Sequence, residues 1–415
     1  MNCNLCLSEN SKILIDFGRF PIAHQYMKTK LEHRESYPFE LVHCEDCHHV
    51  FIAQPISPNI LYKNYVTVSS WKFHPHVPRL IELIQSCHVN KNAKILEIGC
   101  NDGVFLKVLK DLGYSNLTGI EPTEDACLLA KQKGINIIQD FFNEQSAGEY
   151  VNQYGKCDLI ILRQVLEHIP NLTGFRNALR KVISPGSIII IEVPDFQSNL
   201  NTYDYSLWEE HVNYFSKETL NYFLHSIGVE EIHFERFLFS GVGQIVIGQC
   251  VNNNNASLKN VARYKNDILK QKILNYANFL SEFKANINDF LAKLVAQGKK
   301  ISLYGAGNRT ATLVNFTGIE KYIEFVVDDQ VEKQHLFMPG SCLEVFSSDF
   351  LQKHNIDVCL MGVNTENEQT VINKHISWSE GKLTFYSILP PSNRLIPFWR
   401  NLIANTKQDE YFSYS

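Results

Sequence analysis

The chain has 415 residues, of which 45% are hydrophobic and 20% charged, and a formal net charge of −5. At ~150 residues per domain that length suggests about three domains. The composition is ordinary for a soluble globular protein, and the acidic balance without a long basic run argues against nucleic acid as the main partner.

Residues 1–6 form neither a signal peptide nor a transit peptide. The eleven cysteines therefore point to thiols or metal rather than disulfides, and a cytoplasmic location is expected. Cys3 and Cys6, then Cys44 and Cys47, form two Cys-x-x-Cys pairs that can close a tetrahedral four-cysteine site of the structural zinc type. Four thiolates leave no open position, so this metal should hold structure and do no chemistry. Leu7 and His48 stand where tight zinc knuckles usually carry glycine, and His43, His48 and His49 are nearby substitutes as ligands. Strand-like pieces lie at 13–17, 39–43 and 50–52. The aromatic stretch 61–65 follows, then Trp71, Phe73, His74 and His76. Aromatics at this density mark a core or a domain interface, with Tyr65 a candidate for facing substrate. The zinc-binding segment is expected over residues 1–75.

From Pro78 the pattern alternates helix and strand. A strand carrying Ile95, Leu96 and Ile98 ends in a turn from Gly99 to Gly103, and a helix opens at Val104. Further strands are expected at 117–121, 135–138, 159–162 and 188–193, with a closing hairpin at 237–251. This is the rhythm of a doubly wound parallel sheet over residues 76–251. The run 188–193 is too short to cross a bilayer, so no membrane partner is expected.

The turn sits at the carboxyl end of a parallel strand, where open α/β sheets bind small molecules. Glu121 ends the second strand about 20 residues on, where such folds hold ribose hydroxyls with an acid. Asp140 and Phe141 follow the third strand and suit an adenine, the acid on its amino group and the ring on its face. A dinucleotide would bring a pyrophosphate, which the carboxylates of Glu97 and Asp102 repel. The same carboxylates suit the ammonium and sulfonium charges of S-adenosylmethionine.

The stretch Glu97-Ile-Gly-Cys-Asn-Asp-Gly103 resembles motif I of class I S-adenosylmethionine-dependent methyltransferases. More narrowly, the order of the segments resembles the sugar C-methyltransferases, which methylate C3 of nucleotide-linked 4-keto-deoxysugars. That resemblance implies an α/β fold. It has an N-terminal zinc segment, a class I methyltransferase sheet, and a second, C-terminal Rossmann-like α/β domain. It implies zinc on Cys3, Cys6, Cys44 and Cys47. Cofactor contacts are implied at Glu97, Gly99, Asn101, Gly103, Glu121 and Asp140. The stretch 163–170 resembles an element that borders both cofactor and substrate in the family; it holds His168, and Gln164 where an Asn is common.

Glu210-His211, followed by Tyr214-Phe215-Ser216, resembles the family's active-site signature, in which the His is the proposed general base. The chemistry accounts for the need. Carbon becomes nucleophilic only after losing a proton, and a hydrogen α to the C4 ketone is acidic enough to be taken. A His titrates near neutrality and suits that transfer. Nearby donors must then hold the enolate oxygen. His211 is therefore expected as base and Glu210 as its orienting or substrate-contacting partner, with His168 and Tyr214 as neighbours. Trp208 stands where the family often has Tyr and cannot offer a phenol.

After the polar punctuation at 252–255, apolar residues recur at helical spacing from Val261 to Leu294. One long helix or two, forming a linker over 252–298, is expected. Residues 299–415 open with strand and turn, Tyr304-Gly-Ala-Gly307, and Asp328-Asp329 end a second strand. This partial dinucleotide fingerprint lacks its third glycine and supports a rival reading as an NAD(P)-dependent oxidoreductase. The family resemblance instead implies a domain that helps enclose the nucleotide-sugar, with Arg309 available to a diphosphate. An O- or N-methyltransferase on the same scaffold is the other alternative, and a non-catalytic binding protein a third. The oligomeric state is not legible.

Overall fold

The computed structural model describes residues 1–62, 75–205, 207–251, 266–379 and 382–405. The first strands are β1 (Ser11–Pro21), β2 (Ser36–Cys44) and β3 (Val50–Ile52). Next come β4 (Lys94–Ile98), β5 (Asn116–Ile120), β6 (Asn136–Ile138), β7 (Leu159–Arg163) and β8 (Ile188–Pro194). They are followed by β9 (Asn213–Tyr214), β10 (Val229–Leu238) and β11 (Val242–Cys250). The series ends with β12 (Ile301–Tyr304), β13 (Ile323–Val327), β14 (Val345–Phe346), β15 (Val358–Met361) and β16 (Thr384–Ser387).

The central sheet runs β10-β11-β8-β7-β4-β5-β6. The five strands from β8 to β6 are parallel, and the β10–β11 hairpin adds antiparallel to β8. Ile95, Ile161 and Ile190 point into one core with Leu80, Phe105 and Leu109, which lie on the helices Val77–Ser86 and Val104–Asp111. Their neighbours Leu96, Ile160 and Ile189 point into the opposite core with Tyr150, Leu179 and Phe223. Burial on both faces is why these strands read as unbroken apolar runs. The strand order reverses at β4, which pairs with β5 on one side and β7 on the other. A crevice therefore opens above its carboxyl end.

The hairpin begins at Val229 rather than at 237. Its outer strand carries Glu230, Glu231, Glu235 and Arg236. Charges of this kind protect an edge from further pairing and hide the strand in a hydrophobicity pattern.

The N-terminal sheet has the order β1-β2-β3-β9. Its last strand comes from the polar cluster that follows His211, with Val50 opposite Tyr214 and Phe51 opposite Asn213. The C-terminal sheet, β14-β13-β12-β15-β16, is parallel throughout. One unbroken helix, Asp267–Ala296, precedes it, capped by the Asn266 side chain on the Leu269 N–H at 3.0 Å. Leu269, Ile273, Tyr276, Leu280, Phe283, Ile287 and Leu291 form its buried stripe. That stripe shares a core with Leu303 and Val326 of the C-terminal sheet and with Phe39 and Leu41 of the N-terminal one. Among the described residues, no helix is long and apolar enough to cross a membrane.

Candidate active site

The turn after β4 holds three left-handed residues, Gly99 (φ 67°), Asn101 (φ 49°) and Gly103 (φ 72°). At Gly99 a Cβ would lie 2.5 Å from Val165 Cγ2, so glycine lets the turn pass the loop after β7. Glu121 closes the turn from the end of β5, accepting the N–H of Asn101 at 3.0 Å and of Thr123 at 2.9 Å. Glu97 is buried beneath it. One oxygen lies 4.0 Å from Arg163 Nη1, while Oε2 has no hydrogen-bond partner. Burial pushes its carboxyl up to about 8, against the pull of Arg163. Arg163 also lies over the Phe105 ring at 4.4 Å and 3.4 Å from the Glu192 carboxylate. Gln164, left-handed at φ 52°, donates its amide to Glu192 at 3.1 Å.

A cavity of about 780 Å³ runs from this turn to the polar cluster. Glu97, Gly99, Asn101, Glu121, Phe141, Gln164, His168, Trp208, Glu210, His211 and Tyr214 all line it. Phe141 sits at the rim, 41% exposed, while Phe142 packs edge-on against Phe175 at 5.2 Å. At the far end the His211 ring lies 3.7 Å from Trp208 and 4.8 Å, nearly perpendicular, from His168. His168 Nδ1 meets the Glu210 carbonyl at 2.8 Å. Burial, with His168 and Arg309 adding to it, holds the His211 imidazole well below its usual pKa and therefore neutral. The Tyr214 hydroxyl is buried beside the Trp208 backbone.

The four thiols converge as well. Cys3 and Cys47 are 3.6 Å apart, as are Cys6 and Cys44. All four sulfurs lie within 4.8 Å of one another. Zinc with bonds of ~2.3 Å asks for edges of ~3.8 Å, so the set fits the ion. Leu7 (φ 65°) and His48 (φ 60°) take the left-handed conformation that glycine usually supplies. Their N–H groups donate to Cys3 and Cys44 carbonyls at 2.9 and 2.8 Å, so the knuckles form despite the larger side chains.

Three family models match the chain in succession. They are "Putative zinc binding domain" over residues 3–62, "Methyltransferase domain" over 71–233 and "C-methyltransferase C-terminal domain" over 249–390. The chain is an S-adenosylmethionine-dependent methyltransferase. It is 23% identical over 373 residues to the C-methyltransferase NovU of Streptomyces niveus, covering 86% of this chain and 88% of that one. The ubiquinone biosynthesis O-methyltransferase of Erwinia tasmaniensis is 31% identical over 98 residues, 22% of this chain and 39% of that protein. A solved S-adenosylmethionine-dependent methyltransferase from Anabaena variabilis covers 48% of this chain and 97% of its own, at 15% identity and a TM-score of 0.38.

The methyltransferase's turn fits its donor. Glu97 Oε2 and Asn101 Oδ1 are buried polar atoms without partners, and both residues line the cavity. Three expected contacts are absent from the cavity wall. Gly103 is glycine because a Cβ would lie 2.9 Å from Ala130 Cβ, so it serves helix packing. Asp140 turns back to accept the Phe141 N–H at 2.7 Å. Arg309 donates to the Ser240 carbonyl at 2.9 Å and to Asn364 at 3.1 Å, tying the β10–β11 loop to the C-terminal domain. Glu210 lines the cavity but makes no hydrogen bond to His211; its Oε1 meets His24 Nδ1 at 3.0 Å and Asn308 Nδ2 at 3.2 Å. Tyr65 lies outside the described residues.

The rival dinucleotide turn is closed from two sides. The Ala306 N–H donates to Asp328 at 2.8 Å, and the Tyr26 hydroxyl donates to the Ala306 carbonyl. Sequence reasoning missed Arg163, Glu167, His24 and Asn308. His24 and Asn308 are far from Glu210 along the chain and carry no local signal. Arg163 did leave one, a cation at the carboxyl end of an apolar strand.

Proposed function

We propose that this methyltransferase moves a methyl group to a carbon, C3 of a nucleotide-linked 4-keto-deoxysugar, through an enolate formed by His211. The observation that carries the reading is the continuous cavity, with the donor turn at one end and a buried, neutral His211 at the other. The C-terminal family match and the likeness to a C-methyltransferase over most of both chains support carbon as the acceptor.

S-adenosylmethionine supplies an electrophilic methyl on a sulfonium centre. Glu97 takes its ammonium group, Glu121 its ribose, and the Phe141 face its adenine. His211 accepts the proton α to the ketone, for which a neutral imidazole is required. The Tyr214 hydroxyl, buried beside the Trp208 backbone in a residue that lines the cavity, is available to the enolate oxygen. Trp208 lies against His211, the rings tilted by 38°, and limits its rotation.

The test is a panel of 4-keto nucleotide-sugars with isotope-labelled donor, read by mass spectrometry, together with deuterium exchange at C3. His211→Ala should lower both methyl transfer and exchange by about 100-fold or more. Loss of transfer with exchange intact would remove the base role, and methyl found on oxygen or nitrogen would redirect the reading.

A further inference from the structure

One acid in the cavity wall has no part in the chemistry above. Glu167 belongs to the short turn Leu166–His168 and is 1% exposed. Neither of its carboxylate oxygens has a hydrogen-bond partner. Its own carbonyl accepts the N–H of Val212 at 2.8 Å, which locks the turn in register with His211. A Glu167 oxygen and one ring nitrogen each of His168 and His211 lie within 4.8 Å of one another.

A histidine that takes a proton through one ring nitrogen needs an acceptor for the N–H of the other, both to hold its tautomer and to balance the imidazolium. Glu210 makes no hydrogen bond to that ring, and its Oε1 is held by His24 and Asn308. Neither Glu167 oxygen is held by another residue, and one lies within 4.8 Å of a ring nitrogen of His211.

We propose that Glu167 is the positioning residue for His211, its carboxylate orienting the imidazole and balancing the charge it acquires. The inference rests on the reading of His211 as base. In the step, the C3–H bond breaks and its electron pair stays on the sugar as the enolate. The proton passes to His211, and Glu167 remains ionised. The proton leaves His211 for water after the methyl has moved.

The charged surroundings set the pH dependence. Burial and the nearby Glu192 favour protonated Glu167. Burial, His168 and Arg309 keep His211 neutral, and Glu210 acts on His168 from the other side. Ionising Glu167 is then the event that limits activity at low pH, giving an acid limb above the ordinary carboxylate range. The same three side chains have the composition of a divalent-cation site. Coordination would consume the imidazole lone pair that must accept the proton, so one atom of His211 cannot serve both ends.

Glu167→Gln and Glu167→Asp test the assignment in the full-length, zinc-loaded enzyme. Glu167→Gln should lower C3 exchange and kcat by about 100-fold or more. Its KM for the sugar and Kd for S-adenosylmethionine should stay within about threefold, and its acid limb should disappear; Glu167→Asp should restore part of the rate. Exchange in Glu167→Gln within about threefold of wild type would overturn the proposal. So would wild-type exchange that is lost to a chelator with zinc still bound and restored by Mg²⁺ or Mn²⁺ alone. Should both variants fail to fold, a wild-type exchange profile that is flat down to pH 5 overturns it. If His211→Ala retains exchange, the base reading itself fails, and that outcome is separate from any result at Glu167.

Discussion

At the scale of single residues, burial decides which side chains have chemistry left to do. Glu121 has both carboxylate oxygens on backbone N–H groups, so its role is to shape the turn before it meets a ribose. Glu97 is the opposite case: buried, half-satisfied and pushed up to about 8. An ammonium group favours its ionised form, so below pH 8 binding of the donor releases a proton from Glu97, and affinity rises as pH rises from 6 to 8. Calorimetry in buffers of different ionisation enthalpy should show that release in wild type and lose it in Glu97→Gln. The variant should also bind S-adenosylmethionine about 10- to 100-fold more weakly, the equivalent of one charge-assisted hydrogen bond. Unchanged proton release in the variant would place the titrating group elsewhere. The sequence showed Glu97 as an acid beside a glycine turn, but its burial and its unsatisfied Oε2 come from the packing around it.

At the scale of elements, β9 explains why a zinc segment accompanies this enzyme. Asn213 sits at the junction. Its Oδ1 meets Asn4 Nδ2 at 2.6 Å and His49 Nε2 at 3.2 Å. Its Nδ2 donates to the carbonyls of Leu166 at 3.3 Å and Ile169 at 2.8 Å. One amide thus joins the first zinc knuckle to the turn that carries Glu167 and His168. Asn213→Ala removes the donor to the Ile169 carbonyl, at about 1–3 kcal/mol, and leaves the Leu166 carbonyl with only the Ile169 N–H at 3.4 Å. It should therefore lower Tm and C3 exchange while zinc, measured by mass spectrometry, stays at one ion per chain. Asn4→Ala, outside the cavity wall, should show a smaller loss of the same kind. Full exchange in Asn213→Ala would mean that the knuckle does not position the turn. The long helix makes a related point. Its apolar spacing was legible, but a stripe shared with two sheets makes it part of a core rather than a tether.

At the scale of the whole molecule, the three sheets meet around Glu210. His24 arrives from the N-terminal segment and Asn308 from the start of the helix Asn308–Thr317. Elsewhere Trp399 Nε1 donates to the Thr202 carbonyl at 2.8 Å, and the Tyr276 hydroxyl to the Asp204 carbonyl at 2.6 Å. Burial opposes charge on His24, but the Glu210 carboxylate outweighs it and raises the pKa. A raised folded-state value means the pair's contribution is full below about pH 6.5, the unfolded value, and is lost as pH climbs through the folded one. The Tm difference between wild type and His24→Gln should therefore be largest at low pH and shrink toward pH 8. A difference that grows with pH would show that His24 acts as a neutral packing residue.

The sequence by itself determined the alternation of strands and helices, the glycine turn with its acids, the two cysteine pairs and the Glu-His cluster. These are legible because each is short-range: a periodicity, a backbone conformation or a chelate spacing is written within a few residues. Tertiary structure alone decided which polar atoms remain unsatisfied. It tied Arg309 to Ser240 and Asn364 and Asp140 to the Phe141 N–H, engaged Glu210 with His24 and Asn308, and left Glu167 beside His211. Those outcomes depend on partners brought from distant segments, and hydrogen-bond satisfaction in a dry interior is a property of the packed whole.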